Sequence, residues 1–339
     1  MIFIYIIILL ILVFCINKNL DQSKYFSYLI YGIEILLILS CSFRIIYANS
    51  NNDTYTYMIM YNNSMTKSLV QMKQIYPGIE TGFLVLIKMF SMLNIPYRIF
   101  LVFTSFISIG GIFYFINKNS KNIIFSLFLF LCLGSYFFAF TAIRQALSIG
   151  IVFFGIHYLY KNKVILFVFF VLIASLFHLT SLIYLILLLD RYISKKIVLI
   201  ISIMCIAVLF IPQEFLSVIF GYKYSLYFPK LISISLNNIG QIIFLIGIFV
   251  SALYYSGEYK NKKLMSKYYP SFIYCLIHLL SLRTNMFSRL SLNFQPLYVS
   301  NLSDLNELIT NKKYKILICI SVLLYHLAWL YLNKSMNFL

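Results

Sequence analysis

Long apolar runs separated by short polar loops dominate this chain, and their lengths predict helices that cross a membrane. A helix needs about 20 apolar residues to cross roughly 30 Å of hydrocarbon. Ten runs reach or approach that length: residues 1–16, 26–43, 97–116, 123–140, 142–160, 197–211, 239–255, 268–282, 286–302 and 316–332. The pattern therefore predicts an all-α, polytopic integral membrane protein with about 10–12 transmembrane helices in a single domain over residues 1–339.

Two further apolar stretches do not fit a simple span. Residues 80–94 would cover only about 22 Å as a helix and lie between Pro77 and Pro96, so we expect a re-entrant or interfacial half-helix. Residues 164–189 would cover about 39 Å, which is long for one span, and carry His178 and two nearby hydroxyl residues close to the middle. We therefore expect a break at His178.

Basic residues orient these helices, because cytoplasmic loops collect Lys and Arg. With the N-terminus outside and a break at His178, sixteen of the 27 basic residues lie in short inner loops. An unbroken helix over residues 164–189 would leave only eleven inside. The broken topology is therefore favoured.

In that topology, most Lys and most Arg residues are predicted to lie on opposite sides of the membrane. Fifteen of the sixteen inner charges are Lys, whereas the arginines fall outside, except Arg191. A planar, permanently charged fork suits phosphate recognition, and snorkelling at helix ends is the alternative interpretation. The outer arginines are Arg44, Arg98, Arg144, Arg283 and Arg289.

Composition excludes a water-soluble fold, because 62% of the residues are hydrophobic and only 11% are charged. The net charge of +18 occurs in short clusters between apolar runs, which does not indicate a nucleic-acid partner. The first run has no basic residues ahead of it and no cleavage site behind it, so we expect a first span and not a signal peptide. No cysteine pair has metal-ligand or redox spacing, and no cofactor is expected.

Residues 47–96 form the longest stretch without a clear span, and this topology makes them an extracytoplasmic segment. After Ser64, a candidate N-cap, apolar residues recur at helical spacing at Met65, Leu69, Met72 and Tyr76. We expect an amphipathic helix on the membrane surface, acting as a lid over a lateral entrance.

Two carboxylates of this outer segment are candidate catalytic residues. Asp53 and Glu80 flank the predicted amphipathic helix, and either can serve as a general base or bind sugar hydroxyls. Plain solvation of a loop is the alternative for both.

Polar residues inside apolar runs are the next candidates. Arg144 and Gln145 lie at the outer end of a predicted span, and an ionised Arg in the bilayer normally faces a cavity or a partner. Pairing of Arg144 with a helix carbonyl or with Glu34 is the alternative. His178, at the predicted break and close to Arg144 in depth, is a third catalytic candidate, with a satisfied core histidine as the alternative.

The late arginines suggest a second binding element. Arg289 lies in the predicted penultimate span and Arg283 lies six residues earlier, so together they could clamp a pyrophosphate. Walker-type glycine loops, nucleophile elbows and zinc-protease helices do not occur in the sequence, so nucleotide-driven pumping and zinc proteolysis have no support.

In these residues the chain resembles the EpsG family, which is similar to the Wzy-type polymerases of bacterial O-antigen and capsule polysaccharides. The features that carry the resemblance appear in order along most of the chain. They are Asp53 with Tyr55, the turn 80–83, Ile143 with Arg144 and Gln145, the run 174–178 with Ser181, and Arg289 with Phe294 and Pro296.

The resemblance implies a membrane glycosyltransferase of the GT-C class in the bacterial inner (plasma) membrane. Such a polymerase transfers a growing glycan from undecaprenyl pyrophosphate to a lipid-linked repeat unit at the periplasmic face. Its implied partners are the undecaprenyl-pyrophosphate-linked oligosaccharide, membrane lipids and a chain-length regulator protein. Arg144 and Arg289 would neutralise the leaving group, and Asp53, Glu80 or His178 would deprotonate the acceptor hydroxyl.

The sequence departs from the GT-C pattern in one respect, because the acidic pair expected in a first outer loop is absent in recognisable form. We therefore expect metal-independent chemistry. The main alternative is a lipid-linked oligosaccharide flippase, which would also hold pyrophosphate with arginines but would show internal repeats. An O-acyltransferase and an O-antigen ligase are further alternatives.

Overall fold

The computed structural model describes residues 24–46, 53–192, 195–211, 236–258, 264–282 and 285–332. These residues form helices joined by turns, with no strand among them, which confirms the predicted all-α class. The helices are α1 Lys24–Ser42, α2 Asp53–Thr66, α3 Leu69–Ile75, α4 Thr81–Met92, α5 Tyr97–Asn119, α6 Ile123–Cys132, α7 Ser135–Thr141, α8 Ile143–Tyr160, α9 Val164–Ser175, a 3₁₀ helix Leu179–Tyr192, α10 Lys195–Phe210, α11 Leu236–Tyr255, α12 Leu264–Leu280, α13 Asn285–Ser291, α14 Gln295–Leu308 and α15 Lys312–Leu332. The predicted first span, 1–16, lies outside the described residues.

The chain divides into two compact units. One comprises residues 1–185 and 326–339, and the other comprises residues 186–325. The single domain over 1–339 and the extracytoplasmic placement of 47–96 stay predictions.

Several apolar helices make this a multi-pass membrane protein. By length and composition, α5, α8 and the Lys312–Leu330 part of α15 can each cross a membrane, and the bent pair of α6 and α7 raises the number among the described residues to four. The described ranges also contain seven shorter apolar helices of 10–17 residues. The count of about 10–12 spans and the GT-C-like arrangement stay predictions.

The run 123–140, predicted as one span, forms two helices with a sharp bend between them. The axes of α6 and α7 differ by 51°, and Gly134 lies at the bend with a φ of +88°. That left-handed conformation is open to glycine at little steric cost, so Gly134 ends α6 and starts α7 in a new direction.

Glycines bring α5 and α8 into backbone contact in the first unit. A Cβ on Gly111 would lie 2.1 Å from the carbonyl oxygen of Gly150, and one on Gly150 would lie 2.3 Å from that of Ile107. Small residues of this kind let helices approach closely in membranes. The contact fixes α8, which carries Arg144 in its first turn.

The predicted break at His178 is confirmed. Helix α9 ends at Ser175, the 3₁₀ helix begins at Leu179, and the backbone N–H of His178 donates to the carbonyl of Ala174 at 3.0 Å. His178 therefore lies in the short connection between two helical segments.

The outer segment contains more helix than predicted. Residues from Asp53 to Thr66 form α2, and the N-cap expected at Ser64 is wrong, because Ser64 lies inside this helix and its hydroxyl donates to the carbonyl of Tyr61 at 2.6 Å. The next helix, α3, begins after Ser68, which forms a capping box with Gln71. The following helix, α4, begins after Glu80 and is short, as predicted for 80–94.

In the second unit, the predicted span 286–302 is not one continuous helix. Two helices replace it, α13 ending at Ser291 and α14 beginning at Gln295. Pro296 lies in the first turn of α14, where a missing N–H costs nothing, whereas within one long helix it would remove a hydrogen bond. In the intervening turn, the Asn293 side chain donates to the carbonyl of Leu290 at 2.9 Å.

Candidate functional site

Glu80 is the centre of a cluster of polar side chains in the first unit. Its Oε2 atom accepts from Nη1 of Arg144 in an ion pair. Its Oε1 atom lies 3.1 Å from Nδ1 of His178 and accepts from the backbone N–H of Leu179, also at 3.1 Å. Both carboxylate oxygens are therefore engaged by two of the residues that the sequence singled out.

Arg144 lies in the first turn of α8 and makes a second contact. Its Nε atom donates to the hydroxyl of Tyr57 at 2.9 Å, and its guanidinium carbon lies 5.8 Å from the centre of the Tyr57 ring. The side chains of Arg144, Glu80 and His178 are 18%, 19% and 20% exposed, so the cluster is half-buried yet reachable from outside.

The electrostatic environment holds Glu80 ionised. Burial alone would raise the pKa of Glu80, but the hydrogen bond from His178, the charge of Arg144 and the bond from the N–H of Leu179 outweigh it and lower that pKa to about 2. A carboxylate with such a pKa is a weak base at neutral pH. Glu80 can orient its partners but is poorly suited to remove a proton from a hydroxyl.

The pKa of Tyr57 is shifted in the opposite direction. Burial raises the pKa of the Tyr57 hydroxyl, Arg144 lowers it in part, and the negative charges of Asp53 and Glu80 raise it further. The phenol therefore stays protonated at neutral pH. Its oxygen accepts from Arg144 and its own proton remains available to donate.

A close helix contact brings His178 to Glu80. A Cβ on Gly82, in the first turn of α4, would lie 2.5 Å from the carbonyl oxygen of Leu176 and 2.7 Å from its Cβ. Only glycine allows this approach, because any larger side chain would collide with backbone. The start of α4 thus lies against the end of α9, two residues from His178.

The other predicted site residues of the first unit are Asp53, Gln145 and Arg98. Asp53 opens α2, four residues before Tyr57, where its charge acts on the Tyr57 hydroxyl. Gln145 follows Arg144 on α8 and is buried. Arg98 turns towards α1, where its Nη1 atom donates to the carbonyls of Ser42 at 3.0 Å and Arg44 at 2.8 Å.

Only one of the two late arginines lies among the described residues. Arg289 lies on α13 in the second unit. Arg283 lies outside the described residues. The pyrophosphate clamp that they were predicted to form stays a prediction.

Sequence reasoning missed Tyr57 and the true partner of Arg144. Pairing of Arg144 with Glu34 is wrong, since Glu34 lies on α1 with Oε1 facing Gly110 of α5, 3.4 Å from where a Cβ would be. A signal for Tyr57 existed, because Tyr57, Tyr61 and Ser64 recur at i, i+4 and i+7 and form the buried face of α2.

Comparison with protein-family models identifies the family of this chain. The family model described as EpsG family matches residues 29–338, which is nearly the whole chain. The chain belongs to the EpsG family. No curated protein and no solved structure matched it.

Membership of the EpsG family sets the broad class of function. EpsG proteins resemble Wzy-type polymerases, so the chain is a membrane protein of polysaccharide biosynthesis with a polymerase-like function. The motifs around Glu80, Arg144 and His178 all fall inside the matched range.

Proposed function

We propose that this EpsG-family protein is a repeat-unit polymerase for a bacterial O-antigen or capsule polysaccharide. It transfers a growing glycan from undecaprenyl pyrophosphate to the sugar hydroxyl of a lipid-linked repeat unit. The observation that carries the proposal is the arrangement of Arg144 and His178 on the two oxygens of Glu80. In this proposal Arg144 is the phosphate-binding cation and His178 is the general base, and their contacts with Glu80 support the proposal.

His178 is the base in this mechanism. Ionised Glu80 can only accept, so the 3.1 Å contact places the imidazole proton on Nδ1. Nε2 then carries the lone pair and can take the proton of the acceptor hydroxyl as its oxygen attacks the anomeric carbon. Glu80 also stabilises the imidazolium that forms, as a positioning residue.

Arg144 acts on the leaving group. As the bond between the anomeric carbon and the diphosphate oxygen breaks, negative charge grows on the diphosphate, and a fixed guanidinium lowers the energy of that state. Nη1 and Nε of Arg144 are engaged by Glu80 and Tyr57, which leaves Nη2 and the Tyr57 proton to meet a phosphate oxygen. Gln145, Arg98, Arg289 and Arg283 are proposed as further substrate-binding residues.

Asp53 is the alternative base. It is half-buried at the start of α2 and its charge reaches Tyr57, so it lies near the same cluster. In this arrangement it would bind hydroxyls of the acceptor sugar. The proposed chemistry is metal-independent and takes place at the periplasmic face of the inner membrane, with a chain-length regulator as a partner.

Deletion of the gene in its native host tests the proposal, with the surface polysaccharide separated on a gel. We expect loss of the long-chain ladder with a single repeat unit retained, restored by the wild-type gene and not by Arg144→Ala. Lys161→Ala, which removes an exposed charge after the other end of α8, serves as the matched control and restores the ladder. Loss of every repeat from the surface would instead indicate a flippase or a ligase.

A further inference from the structure

Arg44, just after α1, has one edge of its guanidinium fixed and the other unused. The residue is only 2% exposed. Its Nη1 atom donates to the carbonyls of Cys41 at 3.1 Å and Ala139 at 3.2 Å. Its Nε and Nη2 atoms are buried and have no hydrogen-bond partner among the described residues.

The unused edge of Arg44 has the geometry of an anion-binding fork. The N–H bonds of Nε and Nη2 point in the same direction and match two oxygens of a phosphate or carboxylate. A buried charged donor without an acceptor is unfavourable, so binding of an anion at this edge would be stabilising. Because the backbone of α7 fixes Nη1 and the ring of Phe140 lies 5.9 Å away, the fork is already oriented.

Positive charge accumulates around Arg44. The guanidinium of Arg98 donates to the carbonyl oxygen of Arg44, so two arginines adjoin at the end of α1. Neither forms an ion pair with a carboxylate within the part of the chain that the structure describes. An anion bound between them would balance this charge.

Arg144 lacks such a fork. Its Nε and Nη1 atoms are engaged by Tyr57 and Glu80, so it can offer one nitrogen to a ligand. Ala139, which Arg44 holds, lies five residues before Arg144 in the sequence. Arg44 therefore provides a separate two-donor contact at the same junction of α7 and α8.

We propose that the Nε and Nη2 atoms of Arg44 form a second anion site, which binds a phosphate group of a diphosphate. Its assignment to the head group of the second lipid-linked substrate rests on the proposed function, because a polymerase must hold two such substrates at once. Binding of the anion itself does not depend on that function.

The test uses the full-length protein in nanodiscs of zwitterionic lipid and isothermal titration with two probes, inorganic pyrophosphate and a short-chain prenyl diphosphate. We expect Arg44→Lys, which keeps the charge and loses the fork, to weaken binding by about tenfold or more. Arg144→Gln removes the diphosphate contact proposed for Arg144 but leaves the Arg44 fork intact, so the part of the binding that depends on Arg44 is expected to remain. Lys161→Gln controls for the loss of one exposed charge.

The outcomes separate the alternatives. If binding of both probes depends on Arg44, the site recognises the phosphate alone. If only binding of the prenyl diphosphate depends on Arg44, the site recognises a lipid head group. Wild-type affinity in Arg44→Lys would contradict the proposed site, and so would loss of all binding in Arg144→Gln. The second measurement remains informative even if Arg44→Lys does not fold. Diphosphate binding through Arg44 together with an unchanged ladder in the gene deletion would keep the site and reject the polymerase.

Discussion

Glu80 and His178 are 98 residues apart in the sequence, and Oε1 of Glu80 lies 3.1 Å from Nδ1 of the imidazole. The contact joins the start of α4 to the break after α9. In the proposed function each residue has a distinct task, since the carboxylate fixes the imidazole tautomer and the imidazole presents Nε2. The following predictions test this division of tasks and the helix contacts that support it.

His178→Ala is expected to lower turnover by about 10²- to 10⁴-fold, because the acceptor hydroxyl loses its proposed general base. The Michaelis constant should change little, since Arg144 remains. The measurement is polymerisation of a lipid-linked repeat unit by the purified protein. His157→Ala, at the other end of α8, is the control, and equal losses in both variants would argue against a specific role for His178.

Glu80→Gln removes the ion pair with Arg144 and the fixed tautomer of His178. We expect turnover to fall and the free energy of unfolding to decrease by about 1–3 kcal/mol, since the partly buried charge of Arg144 loses its ionised acceptor. Thermal unfolding and the polymerisation assay measure the two effects. Glu307→Gln, at an exposed position on α14, should change neither, and full turnover in Glu80→Gln would exclude the positioning role.

Acid is expected to destabilise the first unit through Glu80. The pKa of Glu80 is lowered from 4.5 to about 2 in the folded protein, so its stabilising contribution is complete above about pH 4.5 and disappears as the pH falls towards 2. The shift corresponds to about 3 kcal/mol at most. Unfolding midpoints from pH 6 to pH 3 should fall more steeply for wild type than for Glu80→Gln, and parallel curves would contradict the assignment.

Gly82→Ala is expected to separate Glu80 from His178 and abolish long-chain polymer. The new Cβ would lie 2.5 Å from the carbonyl oxygen of Leu176, and relief of that clash moves α4 away from the end of α9. Overpacking of this kind costs about 1–3 kcal/mol. Gly78→Ala is the matched control, because nothing lies within 4 Å of its Cβ position and full function is expected there.

Gly150→Ala is expected to destabilise the first unit by forcing α8 from α5. The added Cβ would lie 2.3 Å from the carbonyl of Ile107, and that backbone cannot yield cheaply. Gly247→Ala, in the interior of α11, has nothing within 4 Å and should be neutral or slightly stabilising. Melting of both variants in the same detergent tests the contrast, and equal midpoints would refute the close contact.

Much of the helical pattern could be predicted from the sequence. The runs that became α5, α8 and α15 are long and apolar, and such runs have few alternatives to a spanning helix. The break at His178 followed from length and from the distribution of lysines. The bend at Gly134 and the helix end before Pro296 were not predicted, because hydropathy does not report backbone direction.

The sequence by itself determined that the chain is an all-α membrane protein of several spans, and it singled out Glu80, Arg144 and His178. Only the tertiary structure decided that these residues meet, that Tyr57 joins them, and that the pKa of Glu80 is lowered. The physical reason is that a pKa and a hydrogen bond depend on distance and burial. Those quantities are set by helix contacts such as Gly82 against Leu176, which no single run of residues records.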